Sequence, residues 1–156
     1  MAGCTGLKQM SGIKLYTIGF TKKNAETFFS KIKNAGIRRV FDIRLNNVSQ
    51  LAGFTKRDDL TFFLSNLCDC DYRHIPLMAP TNDILDDYKK KRIDWFEYVA
   101  RFNKLIKNRK IENIVTREEL HGACLLCTEP TPEKCHRRLV AEYLKDKFDG
   151  VEINHL

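Results

Sequence analysis

The sequence predicts an α/β fold: a single three-layer domain with a mainly parallel five-stranded sheet and helices on both faces, in a Rossmann-like arrangement. Two observations support this prediction. Five short apolar runs alternate with segments whose apolar residues recur at helical spacing, and strand–helix–strand units are typical of parallel pairing. The predicted strands are residues 14–19, 39–44, 71–75, 123–128 and 151–155.

Length and composition predict one domain. The chain has 156 residues, of which 43% are hydrophobic, and this suits one α/β domain over residues 13–156 after a flexible N-terminal tail, residues 1–12. No stretch approaches the roughly 18 apolar residues of a membrane span, and the first residues lack the apolar segment of a signal peptide. We therefore expect a cytoplasmic protein with no membrane partner and with its six cysteines reduced.

The first third of the chain alternates between strand and helix patterns. A polar turn ends the first apolar run, and the apolar residues of the next segment share one helical face: Phe28, Ile32 and Ala35. Gly36 is expected to end that helix. Residues 46–54 predict a loop, and Thr55 is expected to cap a second helix with a longer apolar stripe: Leu60, Phe63, Leu64 and Leu67.

Two further helices are predicted after the strand 71–75. Residues 81–91 suit a short helix that begins at Thr81. Asp94 and Glu97 form a capping pair for a longer helix, residues 95–109, which has one apolar face.

The last part of the chain predicts a buried strand followed by a helix. Residues 111–121 fit either a short helix or a turn. The apolar run 123–127 is too short for a buried helix and suits a strand covered on both faces. Thr131-Pro132 then predicts a helix start, and Gly150 lies just beyond the expected helix end.

The charge balance is compatible with an anionic partner. Lysine and arginine outnumber aspartate and glutamate by 27 to 20, although a basic composition can also serve solubility alone. The helix at 95–109 carries Arg101, Lys104 and Asn108 on one face without aromatic residues between them. The sequence is thus compatible with an anionic small molecule or a nucleic acid as partner, bound through charge, and it indicates no oligomeric state.

Reactive side chains cluster where the fourth strand meets the last helix: Cys127, Glu129, Cys135, His136 and Arg137. An open parallel sheet usually binds its ligands at the carboxyl ends of its strands. The electropositive start of a helix favours the thiolate form of a nearby cysteine. We expect Cys127 or Cys135 to act as a nucleophile and Glu129 as a general acid or base. His136 would carry a proton, and Arg137 with free N–H groups of the helix would bind an anion such as phosphate.

Two earlier strands also end in polar residues. Asp42 and Arg44 lie two residues apart and point to the same side of the sheet. Asp42 would hold or replace Glu129 in catalysis, and Arg44 would bind the anionic substrate. His74 ends the third strand and is a second candidate for proton transfer. The alternatives are an internal ion pair between Asp42 and Arg44 and a structural role for the histidine.

The spacing Cys124-x-x-Cys127 followed by Cys135-His136 is compatible with zinc. However, residues three apart in a strand face opposite ways, and a zinc knuckle needs a turn where this chain has two leucines. Cys124 is therefore expected in the core, and the sequence predicts no metal and no cofactor. A mixed metal site stays open, with these ligands: Cys127, Glu129, His136 and His155.

These motifs also carry a family resemblance. The pattern Leu126-Cys127-x-Glu129, followed by Cys135-His136-Arg137, resembles the signature of the domain of unknown function 488 family. Further matches are Tyr16-Thr17-Ile18-Gly19, Asp42-Ile43-Arg44, Tyr72-x-His74 and Glu152-Ile153-x-His155. Phe20 and Thr21 stand where the family usually has histidine and serine, and Asn47 where it usually has proline. The resemblance implies the fold and the site, including a hydroxyl at Thr21 for substrate binding.

Two functions remain open at this point. The preferred one is an enzyme with a Cys/Glu/His/Arg pocket that acts on a phosphate-containing substrate, a nucleotide or a nucleic acid, by thiol-based group transfer or acid–base hydrolysis. The other is a non-catalytic module that binds nucleic acid or protein, in which the polar cluster is structural or binds zinc. An open pocket favours the enzyme, and a closed, fully hydrogen-bonded cluster favours the structural role.

Overall fold

The structure, a computed structural model, describes residues 12–48 and 53–156. Its five strands form one sheet in the spatial order β3-β2-β4-β1-β5, and every neighbouring pair is parallel. The strands are β1 Ile13–Gly19, β2 Arg39–Asp42, β3 Asp71–His74, β4 Ala123–Cys127 and β5 Val151–His155. The predicted parallel five-stranded sheet is confirmed, and its strand order, which the sequence leaves open, places β4 at the centre.

The central position of β4 explains its sequence and brings the strand ends together. Every residue of β4 is buried, so its side chains are apolar on both faces of the sheet. In the parallel register, Gly19 lies beside Cys127, and Asp42 lies beside both Leu126 and His74. The carboxyl ends of β1, β2, β3 and β4 therefore meet at one edge of the sheet.

Helices cover both faces of the sheet, which confirms the predicted three layers. Those in the described residues are α1 Ala25–Asn34, α2 Arg57–Cys68, α3 Asn82–Lys89, α4 Trp95–Arg109, α5 Arg117–Leu120 and α6 His136–Lys147. On one face, α1 and α2 pack through residues such as Phe28 and Leu64. On the other, α3, α4 and α6 pack through residues such as Phe102 and Leu139. None of these described helices is both long and apolar enough to cross a membrane.

Capping groups place several helix ends where the sequence predicts them. The Asp94 carboxylate accepts a hydrogen bond from the Glu97 N–H at 2.8 Å and starts α4. The Thr81 hydroxyl starts α3 in the same way. Gly36 follows α1 with a φ angle of +68°, a conformation that favours glycine. The two interpretations of residues 111–121 are settled in favour of short helical segments, a 3₁₀ turn and α5.

The last helix begins later than the sequence predicts. Thr131-Pro132 is not the helix start, because α6 begins at His136 with Cys135 as its N-cap residue. A backbone hydrogen bond from Thr21 to Thr128 holds the loop after β4 against the end of β1. The chain must turn back from this contact before a helix can form, so tertiary packing overrides the local Thr-Pro signal.

Thr55 does not cap α2, contrary to the prediction. The N-cap residue is Lys56, and Thr55 is buried in the preceding 3₁₀ segment Gly53–Thr55. Its carbonyl oxygen accepts a hydrogen bond from Arg44 at 2.7 Å, which explains why it is fixed inside the protein. The apolar stripe of α2 is also narrower than predicted, since Leu67 is half exposed.

Two predictions fall on residues outside the described ranges. The predicted tail, residues 1–12, lies outside them except for Gly12. The predicted loop 46–54 lies outside them at residues 49–52.

Candidate functional site

A cleft opens at the carboxyl edge of the sheet. Its volume is about 1000 Å³, at the upper end of the usual range for small-molecule sites. One wall is formed by α3, α4 and the turn between them, and the opposite side by the segments that follow β2 and β4. The charged side chains that line it are Arg44, Lys89, Lys91, Arg92, Lys134, Asp94 and Glu129. Cations outnumber acids among them, which favours an anionic ligand.

A close backbone contact holds the loop after β4 over the end of β1. A Cβ atom on Gly19 would lie only 1.6 Å from the carbonyl oxygen of Glu129 and 2.5 Å from the guanidinium of Arg137. Neither distance is tolerable, so a glycine is needed at this position. The contact fixes the loop that follows Cys127, the last residue of β4, at the floor of the cleft.

Two thiols and one imidazole form that floor. The Sγ atoms of Cys127 and Cys135 and a ring nitrogen of His136 lie within 4.8 Å of one another, and all three side chains are buried. Cys127 Sγ is 3.4 Å from His136 Nδ1, while His136 Nε2 is 2.7 Å from the carbonyl oxygen of Ile43. Since a carbonyl can only accept, Nε2 carries a proton. Nδ1 therefore faces the Cys127 sulfur and can take up or return the thiol proton.

The neighbouring hydrogen bonds distinguish the cysteines of this region. Burial alone would raise the pKa of the Cys127 thiol, but hydrogen bonds from the Cys135 thiol and from the N–H groups of Glu129 and Thr128 outweigh it and lower that pKa. The same contact with Cys127, together with burial, raises the pKa of Cys135. Burial also raises the pKa of Cys124, which lies in the core as predicted. The cluster thus favours a thiolate on Cys127 and a neutral thiol on Cys135.

Arg137 is a buried cation with no carboxylate partner among the described residues. Its side chain is 0% exposed. It donates hydrogen bonds to the Glu129 carbonyl and the Thr17 hydroxyl, and one guanidinium nitrogen lies 3.9 Å from Cys135 Sγ. Its second terminal nitrogen has no hydrogen-bond partner within the described residues. The positive charge of Arg137 is one of the causes that lower the pKa of the buried Cys127 thiol.

Asp42 and Arg44 form a second, closed polar cluster beside the first. Asp42 is fully buried and accepts two hydrogen bonds from the Arg44 guanidinium, at 2.8 and 2.7 Å. The Tyr72 hydroxyl donates to the same carboxylate and accepts a hydrogen bond from Asn47. Burial and the Asp42 carboxylate raise the pKa of Tyr72, which therefore stays neutral. The ion pair that sequence analysis named as an alternative is present, and Arg44 also lines the cleft.

The two clusters are joined through the backbone after β2. His136 binds the carbonyl of Ile43, between Asp42 and Arg44. His74 donates from Nε2 to the Arg44 carbonyl oxygen at 2.8 Å and is half-buried. The polar residues predicted at the strand ends therefore occupy one edge of the sheet, although they divide into two hydrogen-bonded groups.

The remaining predicted residues lie at the margin of the cleft. The Glu129 side chain is exposed on its rim, while its backbone carbonyl holds Arg137. Among the described residues, Thr21 is not part of the cleft lining, and its N–H binds the loop after β4. His155 lies at the end of β5, where its Nδ1 is 2.6 Å from the Thr17 hydroxyl.

An aromatic wall is the main feature of the cleft that sequence analysis missed. Tyr88 from α3 and Trp95 and Tyr98 from α4 line it. The sequence assigns these residues only to apolar helical faces, because their spacing is the same for a core and for a pocket wall. The signal in the sequence that could have indicated a pocket is the short run of lysines between Tyr88 and Trp95.

Comparison with known proteins identifies a matching family. Residues 24–144, more than three quarters of the chain, match the family model described as "Domain of unknown function DUF488". The matched range contains Asp42-Ile43-Arg44 and the segment from Leu126 to Arg137. Searches of curated proteins and of solved structures each found no significant match.

Proposed function

The chain belongs to the DUF488 family, and on that premise we propose that it is an enzyme in which Cys127 attacks a phosphate-containing substrate, a nucleotide or a nucleic acid. One observation carries the proposal: Cys127 Sγ lies 3.4 Å from His136 Nδ1 at the floor of an open cleft. A thiol in contact with an imidazole is the usual arrangement for generating a nucleophilic thiolate.

The surroundings of Cys127 support a stable thiolate. Hydrogen bonds from Cys135 and from two backbone N–H groups lower its pKa despite complete burial. Arg137 lies in the first turn of α6 and provides the positive charge that balances the thiolate. The attraction between the Arg137 guanidinium and a Cys127 thiolate would offset part of the cost of burying each charge, because neither would be stable alone in the interior.

The groups present are sufficient for a two-step transfer. In the first step, a bond forms between Cys127 Sγ and the electrophilic centre of the substrate, the bond to the leaving group breaks, and the leaving group takes the proton that His136 received from the thiol. In the second step, Glu129 on the rim takes a proton from water, the water oxygen bonds to the transferred group, and the bond to Cys127 Sγ breaks. The proton on Glu129 then returns through solvent to the Cys127–His136 pair, which restores the starting state. The net reaction adds water across the cleaved bond.

The charge of the cleft supports an anionic substrate. Lys89, Lys91, Arg92 and Lys134 line it together with only two acids. Arg44 belongs to the lining as well, but both carboxylate oxygens of Asp42 bind it, so the lysines are the freer ligands for phosphate. The described cysteines are all free, which fits a reducing compartment such as the cytoplasm.

The test is alkylation of individual cysteines in the folded protein, followed by covalent trapping. Iodoacetamide should modify Cys127 faster than Cys124 at pH 7, since only Cys127 has a lowered pKa. Incubation with a panel of nucleotides and short RNAs should then give a mass adduct or a product that Cys127→Ser abolishes and the matched core variant Cys124→Ser retains. Equal alkylation of the two cysteines would refute the proposal.

Zinc binding is the second candidate, and the ligand geometry favours it. Cys127, Cys135 and His136 offer two sulfurs and one nitrogen within 4.8 Å, a set that zinc accepts with a fourth position open. The bond from His136 Nε2 to a carbonyl is typical of metal-ligating histidines. However, zinc would place a second positive charge beside Arg137. One equivalent of zinc in the purified protein, lost in Cys135→Ser, would select this candidate over the free thiolate.

A further inference from the structure

Three aromatic rings form a continuous wall in the cleft. Trp95 and Tyr98 are stacked, with centroids 4.9 Å apart and planes at 15°. The centroid of the Tyr88 ring lies 5.8 Å from that of Trp95 and 5.1 Å from that of Tyr98, and its plane is tilted by 58° and 50° from theirs. Trp95 and Tyr88 are only partly buried, so part of each ring faces the cleft. The Trp95 ring can therefore stack with a flat ligand group, and the tilted Tyr88 ring can contact the edge of that group.

Positive charge lies directly beside these rings. Lys89, the last residue of α3, and Lys91, in the turn between α3 and α4, both line the cleft. Arg92 in the same turn is already paired with Asp87 at 3.1 Å, whereas no carboxylate partner of Lys89 or Lys91 occurs within the described residues. The cleft therefore places a flat apolar surface and available cations next to each other.

We infer that this wall is a nucleobase subsite: the substrate enters as a nucleotide unit whose base stacks on Trp95, with Tyr88 against the edge of the base, and whose phosphate faces Lys89 and Lys91. The inference rests on the proposed function in taking the cleft as the substrate site, and it adds that the base is recognised, not only the charge. Aromatic side chains stack with any base, and cations bind phosphate, so the two features together match one chemical class. A sugar phosphate would leave the rings without a ligand.

Tryptophan fluorescence measures binding at this subsite directly, because Trp95 is the single tryptophan of the chain. The experiment follows tryptophan emission while the protein is titrated with AMP, CMP, ribose 5-phosphate and adenosine, and then with short RNA and DNA oligonucleotides. AMP and CMP should quench the emission and bind at least about tenfold more tightly than ribose 5-phosphate, the effect of one stacked base. Adenosine should bind more weakly than AMP. Ribose 5-phosphate binding as tightly as AMP, or no response to any nucleotide or oligonucleotide, would overturn the inference.

The oligonucleotide arm identifies the source of the nucleotide unit. Tighter binding of oligonucleotides than of AMP assigns the subsite to a strand, and equal or weaker binding assigns it to a free nucleotide. Tyr88→Leu keeps the fluorescent reporter and should weaken AMP binding by about tenfold without weakening ribose 5-phosphate. The matched control is Phe96→Leu, since Phe96 neighbours Trp95 but is 83% exposed and outside the cleft lining. An equal loss in both variants would contradict the inference.

Failure here is distinct from failure of the proposed function. Alkylation of Cys127 measures the thiolate without any nucleotide. Rapid alkylation with no preference for nucleotides over ribose 5-phosphate removes the base subsite and leaves the thiol enzyme. Nucleotide binding with an unreactive Cys127 removes the thiol chemistry and leaves the subsite.

Discussion

The two polar clusters at the carboxyl edge of the sheet contain similar residues but differ in how completely they are bonded. The Asp42 carboxylate accepts three hydrogen bonds from Arg44, two from the guanidinium and one from the backbone N–H, and one from Tyr72, and Arg44 donates a further bond to the Thr55 carbonyl. Around Cys127, the sulfur also has partners, but it lines an open cleft, and one nitrogen of the neighbouring Arg137 has no hydrogen-bond partner within the described residues. A saturated cluster holds the fold in place, whereas an unsaturated one retains bonding capacity for a substrate.

The difference arises from the segment that comes after each strand. After β2, the Thr55 carbonyl accepts a hydrogen bond from Arg44, and Tyr72 from the adjacent strand β3 donates to Asp42. After β4, the loop is anchored on Gly19, and α6 then starts at the site with His136 and Arg137. A strand end is therefore a common location for both kinds of cluster, and the next element decides which kind forms.

We expect the largest loss of stability from substitution of Asp42. Asp42→Asn removes the counterion of a buried guanidinium, so we expect a loss of about 3–5 kcal/mol in the free energy of unfolding, measured by urea denaturation. Asp87→Asn is the matched control, because Asp87 pairs with two exposed arginines and solvent screens those pairs. Similar losses in both variants would contradict a structural role for the Asp42 cluster.

Tyr72→Phe should give the next largest effect. The substitution removes the hydrogen bond to the buried Asp42 carboxylate and the one from Asn47 but leaves the ring in place, so the expected cost is about 2 kcal/mol in the same urea assay. Tyr143→Phe is a matched control, since the Tyr143 hydroxyl donates to the Glu112 carboxylate at 2.7 Å in a more exposed setting. If the control loses as much stability, burial of the Asp42 cluster is not the cause.

The thiol cluster should respond in reactivity more than in stability. Cys135→Ala removes the S–H donor that lowers the pKa of Cys127, so alkylation of Cys127 at pH 7 should slow by about tenfold, the effect of one hydrogen bond to a charged group. Cys70→Ala is the control, because burial raises the pKa of Cys70 to about 12. Cys70 also lies away from Cys127, in the hydrophobic core between the sheet and helices α1 and α2. An unchanged rate in Cys135→Ala would show that the Cys135 thiol does not support the thiolate.

The lowered pKa also fixes the direction of the pH dependence. The Cys127 thiol has a lower pKa in the folded protein than in the unfolded chain. Its contribution to stability is therefore fully present above the unfolded-state pKa and is lost as the pH falls through the folded-state value. The stability difference between the natural protein and Cys127→Ser should grow as the pH rises toward 9, and a constant difference would contradict the shift.

The sequence predicts the sheet well because its evidence is local and repeated. Apolar runs, the Asp94 cap and Gly36 each follow from a few neighbouring residues, and opposite facing of Cys124 and Leu125 follows from strand geometry. The position of Asp42 at the same edge as Cys127 also follows, because parallel strands align their ends. Strand order and the division into two clusters do not follow, since they depend on contacts between distant residues.

Two misses show the same limit at the level of single residues. The helix signal at Thr131-Pro132 is overridden by the contact between the loop after β4 and the end of β1, which no local pattern encodes. The aromatic wall resembles an ordinary helical core stripe until α3 and α4 are placed beside the cleft. Side chains whose roles depend on an open space, such as Trp95, are the hardest to assign from spacing alone.

The smallest expected effect on stability is at Glu129, the counterpart of Asp42 in the open cluster. Both are carboxylates at one edge of the sheet, but the Glu129 side chain is exposed and only its backbone carbonyl is bonded to Arg137. Glu129→Gln keeps that carbonyl, so the melting temperature should stay within about 2 °C of the natural protein's.

If Glu129 activates water in the second step, the variant should accumulate the covalent adduct on Cys127, which intact mass spectrometry detects, while alkylation of Cys127 stays unchanged. A fall of several degrees, comparable with that of Asp42→Asn, would place Glu129 among the structural residues. Unchanged turnover with unchanged stability would leave the Cys127 nucleophile in place and assign water activation to another group.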